Sequence, residues 1–354
     1  MQTIFFWGWL LNQSDAGIDV VDRLLEWSAA HSTLLTYITA LTLVGNGLLI
    51  FSALIKRKWI LEKLKQHSNA EQWFILSVFS TFIFGVSCVA ASLGIWGLYS
   101  AGQVSIILVV GTILLLLAVV LSLGICLVTF LVLFLQLFIR MIPASPEISG
   151  EVNWGGTPVL VVAVAYFVMS FLLALVSGTA GALGGSLVFI VFPLFLVLKT
   201  YGRTKGDFGI RKPISRMFFL CLPLIVVLIF GNNIVYWMTE KIIGEFPLDE
   251  LVEETISESP ALMSIAVAVL GPIGEEFFFR GFAYAALKRK YGVKKGILFS
   301  SLFFGVYHVL PWQIPYAFVA GCILAFVYEK TESIYPPILF HVLNNFLAVI
   351  GIWT

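Results

Sequence analysis

In GPIGEEFFFRGF, residues 271–282, two adjacent glutamates and an arginine stand among glycine, proline and aromatic residues. Glu276 and Arg280 are four apart, one turn along a common helix face, the spacing at which a carboxylate and a guanidinium pair. Glu275 points about 100° away around the same helix and needs a different partner. Two histidines can supply it. FFGVYH puts His308 at the end of a short helix just before Pro311, and FHVLNNF puts His341 and Asn345 one turn apart on a face of the last helix. A neutral imidazole accepts a proton, donates one or binds a metal. Glu275, His308, His341 and Asn345 come from three helices, so they act together only if the fold brings those helices to one place.

What surrounds these residues is apolar. Of the 354 residues 60% are hydrophobic and 12% charged, with a formal net charge of +1, and the mean hydropathy is +0.99. No soluble domain of this length covers such a surface, so the chain reads as an all-α polytopic integral membrane protein with the lipid bilayer as its solvent. At membrane depth an ionisable side chain costs about 2.5–3.5 kcal/mol on insertion scales, and it persists where it is paired or used. The near-zero charge gives no reason for a nucleic-acid partner, and neither a glycine-rich phosphate loop nor zinc-finger spacing is present. Cys88, Cys126, Cys221 and Cys322 each sit singly in apolar runs and read as small packing hydrophobes.

The elements that must carry the polar residues follow from the apolar runs. After MQTIFFWGWLL, which lacks the basic region of a secretory leader, DAGIDVVDRLLEW reads as a helix at the membrane surface. Segments long enough to span, roughly 20 residues in a helix, cover 34–55, 72–98, 104–139, 157–177, 184–199, 218–237, 261–287, 296–310, 315–329 and 335–352. KRKWILEKLK, YGRTKGDFGIRKPISR and KRKYGVKK are basic connections, whereas EFPLDELVEETISES is acidic. The positive-inside rule makes the basic loops cytoplasmic, and the sides agree only if 104–139 crosses once. The expectation is about ten transmembrane helices with both termini outside. MIPASPEISGEVNWGG marks the boundary between an N-terminal extension, residues 1–150, and a C-terminal catalytic helix bundle, residues 151–354.

EEFFFR fits EExxxR, FGVYH fits FxxxH and HVLNN fits HxxxN, in that order within about a hundred residues. Together they resemble the CPBP family, the CAAX proteases and bacteriocin-processing enzymes also called the abortive-infection family. FGIRKP resembles a stretch found upstream of that core. The resemblance covers about residues 205–350 and leaves the first two spans unexplained. It implies a glutamate-dependent intramembrane endopeptidase without a cofactor, in which Glu275 and His308 activate water, Glu276 and Arg280 support the site, and His341 and Asn345 stabilise the oxyanion. Each role is physically coherent: hydrolysis needs a base for water, a proton for the departing amine and donors aimed at the tetrahedral oxygen. The implied substrate is a membrane-associated peptide or protein, and Arg280, about two turns before the basic loop beginning at Lys288, puts the expected cut near the cytoplasmic leaflet of a prokaryotic plasma membrane. Eukaryotic members of the family cut behind prenylated cysteines, whereas prokaryotic ones are linked to peptide maturation, bacteriocin immunity and surface-protein regulation.

The same residues admit plainer readings. Glu276 with Arg280 is accounted for as a structural ion pair, and His341 with Asn345 as an interhelical hydrogen-bond clamp. Asn344 is adjacent and faces elsewhere, while Asn232 and Asn233 read as packing amides. Two histidines and a carboxylate are also a common zinc set, although HExxH is absent. A non-catalytic scaffold or bacteriocin-immunity protein on the same fold is the alternative from a different class.

Overall fold

The computed structural model describes residues 70–100, 106–140, 152–243, 260–308 and 313–353, with Glu26, Ala30, Tyr37, Val44 and Gly45 as isolated positions. The surface helix over DAGIDVVDRLLEW and the 34–55 span lie outside the described residues, those positions aside. Among the described residues the regular secondary structure is helical, and six helices are long and apolar enough to cross a membrane. Two shorter apolar helical stretches are Trp73–Val89 and Tyr335–Ile350.

Two compact units divide at Arg140. The first holds α1 (Ala70–Ser100) and α2 (Ile106–Arg140). Over its described residues the 104–139 run is thus one uninterrupted helix. Leucine, valine and isoleucine dominate α2 all round, the composition of a helix whose solvent is hydrocarbon rather than water.

The second unit begins with α3 (Gly156–Ala174) and α4 (Gly178–Phe195). They form a hairpin in which Ser177 caps α4 by accepting from the Ala180 N–H at 3.0 Å, relieving one of the donors left over at a helix start. Proline at position 193 interrupts the α-helical ladder of α4, which continues as a π-helical turn over Leu196–Thr200. Then come α5 (Ser215–Cys221), α6 (Pro223–Ile243), α7 (residues 260–291), α8 (residues 293–307), α9 (Gln313–Thr331) and α10 (Tyr335–Trp353). Where α3, α4 and α7 meet, the contact is made by Ala174, Ala182, Met263 and Ala266. Small side chains let helices approach where lipid supplies no hydrophobic drive to associate.

KRKYGVKK, read from sequence as a loop, is shorter than that. Helix runs up to it on both sides and breaks at Gly292 alone, with φ 78° and ψ 173°. This backbone is open in practice only to glycine, and it reverses the chain so that α8 returns along α7. The register follows from contacts: Gly296 lies against Lys288 and Tyr284, and Phe303 lies 5.3 Å from Phe279. At the turn, Lys288 Nζ and the Tyr284 hydroxyl both donate to the Glu329 carboxylate, at 2.7 and 2.8 Å, tying the hairpin to α9.

The polar connection around FGIRKP is a strap rather than a free loop. Ile214 N–H donates to Thr331 O at 3.0 Å and Ile334 N–H to Gly209 O at 2.9 Å. Arg211 Nε donates to Glu332 O and the Ser333 hydroxyl to Arg211 O, both at 2.6 Å. These bonds fix the α9–α10 turn, and with it the start of the helix that carries His341. Outside the membrane-spanning segments, burial works against the Asp207 carboxylate; hydrogen bonds from the Thr204 N–H and hydroxyl, with Arg203 and Arg211 nearby, outweigh it and hold the group below its ordinary range.

Candidate active site

The glutamates sit where α7 is least regular. GPIGEE is a short α-helical segment, Gly271–Glu276, between π-helical segments Ala266–Leu270 and Phe277–Tyr284. Proline near the start of GPIGEE lacks an N–H to give the preceding ladder, and a π turn is one way a helix absorbs such a break. Two carbonyls in these segments accept hydrogen bonds from residues distant in the chain. Asn345 Nδ2 donates to Val267 O at 3.1 Å, and the Trp154 indole N–H donates to Phe282 O at 3.0 Å. Gly274 brings the backbone of α7 against α4, since a Cβ there would lie 2.8 Å from Ser186 O.

Charge is concentrated on one histidine. Glu275, Glu276, Arg280 and His341 are 4%, 0%, 1% and 5% exposed, so none of them has bulk solvent as a partner. Arg280 Nη1 lies 2.9 Å from Glu276 Oε1, a close charge contact that is not aligned as a hydrogen bond. Arg280 Nη2 donates to Gly321 O at 3.3 Å, and its guanidinium lies 4.5 Å from the centre of the Phe304 ring. His341 Nδ1 is 2.8 Å from the same Glu276 oxygen. A carboxylate only accepts, so that nitrogen carries the proton. His341 Nε2 is 3.7 Å from Glu275 Oε2, beyond direct hydrogen-bond length and at a separation where a bridging water is the natural question.

The two carboxylates therefore meet one imidazole. Sequence spacing assigns Glu276 to Arg280; the structure adds His341 to that partnership. Adjacent residues on an ideal helix point about 100° apart, but an imidazole offers nitrogens on two edges, and α10 lies where it reaches both carboxylates.

His308 ends α8, with Nδ1 held at 2.8 Å by Phe304 O one turn earlier. The Phe304 ring joins the polar residues: it is 4.7 Å from the His308 ring, 5.7 Å from His341 and 5.0 Å from Phe279. Phe304 opens the FGVYH motif, so its position was marked in the sequence although its contacts were not. Asn344 is more than a neighbour. Its Nδ2 donates to the Tyr316 hydroxyl at 2.9 Å and to Asn345 Oδ1 at 3.2 Å, which fixes the Asn345 amide with its NH2 toward Val267. Asn233 is exposed on α6. Among the described residues no group of three or more His, Cys, Asp or Glu side chains is placed to hold a metal ion, and the four cysteines are unpaired.

Residues 257–347 match the family described as Type II CAAX prenyl endopeptidase Rce1-like. That stretch contains all three motifs, so the resemblance drawn from EExxxR, FxxxH and HxxxN holds over it. The chain is also 26% identical over 160 residues to the Bacillus subtilis (strain 168) protein named "Putative membrane peptidase YdiL". The match covers 44% of this chain and spans 65% of the length of that relative. No solved structure matches.

Proposed function

We propose that this chain is an intramembrane endopeptidase of glutamic type, hydrolysing a peptide bond in a membrane-associated peptide or protein at a prokaryotic plasma membrane. The observation that carries the reading is the buried carboxylate of Glu275, 3.7 Å from His341 Nε2, beside a second glutamate that Arg280 and His341 already engage. Glu276 is thereby committed to holding the site, and Glu275 is the carboxylate left for chemistry. The family match over the three motifs and the name of the Bacillus relative support peptidase activity.

In this reading Glu275 and His308 activate water. Glu275 removes one proton as the water oxygen attacks the carbonyl carbon, and the C=O electron pair moves onto oxygen. With Nδ1 engaged by Phe304 O, exchange with His308 runs through Nε2. His341, with Nδ1 held by Glu276 at 2.8 Å, turns its other ring edge toward the oxyanion. The second amide hydrogen of Asn345 adds another donor, the first going to Val267 O. Collapse of the intermediate breaks the C–N bond, and the proton held by Glu275 goes to the departing amine.

The core of this function lies in residues 151–354, within a topology of about ten spans with both termini outside. At ~1.5 Å per residue the helix from Glu275 to Lys288 is ~20 Å long, so the base lies well inside the hydrocarbon, reached from the basic, cytoplasmic side.

The test is mass spectrometry of membrane peptides from cells carrying the wild type, Glu275→Gln or His308→Ala at matched membrane abundance. A product present in the wild type and absent from both variants is expected. An unchanged peptide profile at good coverage would overturn the reading in favour of a scaffold or immunity role.

A further inference from the structure

Three hydroxyls at positions that EExxxR, FxxxH and HxxxN leave unspecified lie beside Glu275. Tyr166 and Ser170 are one turn apart on α3, and Tyr307 is the last residue of α8. They are 0%, 0% and 3% exposed. The polar neighbours of the Tyr166 phenol are the hydroxyls of Tyr307 and Ser170, yet none of the three is aligned in a hydrogen bond with any protein group. A buried hydroxyl without a partner is destabilising, because its lost bond to water is not replaced. Three of them gathered at one spot, near but unaligned, are the arrangement a water molecule completes, because buried water typically makes about three hydrogen bonds to such groups.

Packing aims this spot at the glutamate. Phe278 and Phe279, about one turn beyond Glu275, lie 4.2 Å from Phe189 and 5.3 Å from Tyr307, ring centre to ring centre. Tyr166 stacks on Phe189 at 4.0 Å and meets Tyr307 at 5.3 Å. The face of α7 that carries Glu275 thus abuts both phenols, and both feel the charge of its carboxylate. Gly185 of α4 makes the room: a Cβ there would overlap Ser170 Oγ and the Tyr166 ring.

We propose that Tyr166, Ser170 and Tyr307 bind a water molecule beside Glu275 and present it to the hydrolytic step. The proposal rests on the reading of Glu275 as the base. Hydrolysis consumes one water per bond broken, and the hydrocarbon core supplies none. The three hydroxyls are positioning groups: they hold the water so that one of its hydrogens points at the Glu275 carboxylate, which takes that proton when the oxygen attacks.

Radiolytic hydroxyl-radical footprinting of the full chain in lipid nanodiscs tests the site without any substrate, since a bound water split in place oxidises the side chains touching it. Tyr166 and Tyr307 should be oxidised well above Phe208 and Phe282, rings that are equally buried, and Ser170→Ala should lower the yield at Tyr166. Oxidation no higher than at those two rings overturns the water site. The supply role is read from the cleavage product at matched abundance. Tyr166→Phe and Tyr307→Phe should each lower its rate of formation about tenfold, the loss of roughly one positioning hydrogen bond. The double variant should fall little further, because both groups hold the same water. Wild-type product levels, or losses that multiply, overturn that role. A product that survives Glu275→Gln removes the glutamic reading as well, whereas a product sensitive to Glu275→Gln with unlabelled tyrosines removes the water site alone.

Discussion

The α1–α2 pair and the C-terminal bundle are both apolar and both hold hydroxyls within a turn, in the bundle Ser186 to Ala182 O at 2.9 Å and Thr331 to Val327 O at 2.7 Å, but the bundle adds polar contacts between distant segments. In α1 and α2 the hydroxyls bond to their own helix: Ser77 to Phe74 O at 2.8 Å, Ser87 to Ile83 O at 2.7 Å, Thr129 to Ile125 O at 2.7 Å. In the bundle, Asn345, Arg280 and Trp154 reach carbonyls on other helices or distant segments, and His341 reaches a carboxylate. A side chain satisfied within its own turn asks nothing of its neighbours. One satisfied across helices fixes their depth and rotation. Burial divides the same way: 18% of the residues in the most apolar stretch of Val109–Leu133 are buried, against 56% for Pro260–Tyr307. The bundle spends its polar atoms on specifying one packing, which is what a site built from three helices requires.

The largest break in this contrast should come from Arg280→Met. It leaves Glu276 buried without its cation, and removing one partner of a buried pair costs about 3–5 kcal/mol. The thermal midpoint of the purified chain in detergent should fall sharply, and Glu276→Gln in the same background should restore most of it. Gly292→Ala follows, at about 1–3 kcal/mol for a backbone region that other residues avoid. Its signature is faster amide exchange across residues 288–296. Asn345→Ala removes one interhelical hydrogen bond, worth about 1–2 kcal/mol in a membrane, and should loosen α10 from α7 in cysteine cross-linking between them.

Asp207 makes a pH-dependent test of the strap. Its carboxyl lies below its ordinary range when folded, so its contribution is complete above the unfolded value near 3.8 and is lost as pH falls through the folded one. Exchange of the Thr204 amide should therefore rise on acidification below that value in the wild type and be high at neutral pH in Asp207→Asn. The smallest effect belongs to Thr129→Val in α2, within about 0.5 kcal/mol and without change in cleavage product. A larger loss there would erase the contrast between the two regions.

Much of the fold was legible because hydrocarbon allows few solutions. The expected spans 157–177 and 335–352 correspond to helices at Gly156–Ala174 and Tyr335–Trp353. Within the site, the spacing of Glu276 and Arg280 is local, so periodicity alone brings them together. What sequence could not give is non-local or irregular. The π segments leave the hydrophobic pattern intact and show only as Pro and Gly beside the glutamates. The Gly292 reversal reads as a longer loop because its basic residues hide the helix on both sides. The double contact of His341 depends on how α10 is set against α7. Tyr166 lies more than a hundred residues before Glu275, in a run where an aromatic ring reads as ordinary lipid contact.

The π segment over Phe277–Tyr284 has a consequence for insertions and deletions. A π turn amounts to an α-helix carrying one surplus residue, so deleting a single residue between Phe277 and Tyr284 offers α7 a more regular ladder and shortens it by only ~1.5 Å, a change the bilayer tolerates. Because the π turns already spread that surplus over a wider coil, the deletion leaves the bearing of Glu275 toward His341 nearly unchanged, whereas removing one residue from the α-helical residues 285–291 turns everything on its N-terminal side by about 100° relative to α8. The irregular turn is thus the place where α7 can change length and keep its polar residues in register, and a one-residue deletion should be better tolerated there than in residues 285–291.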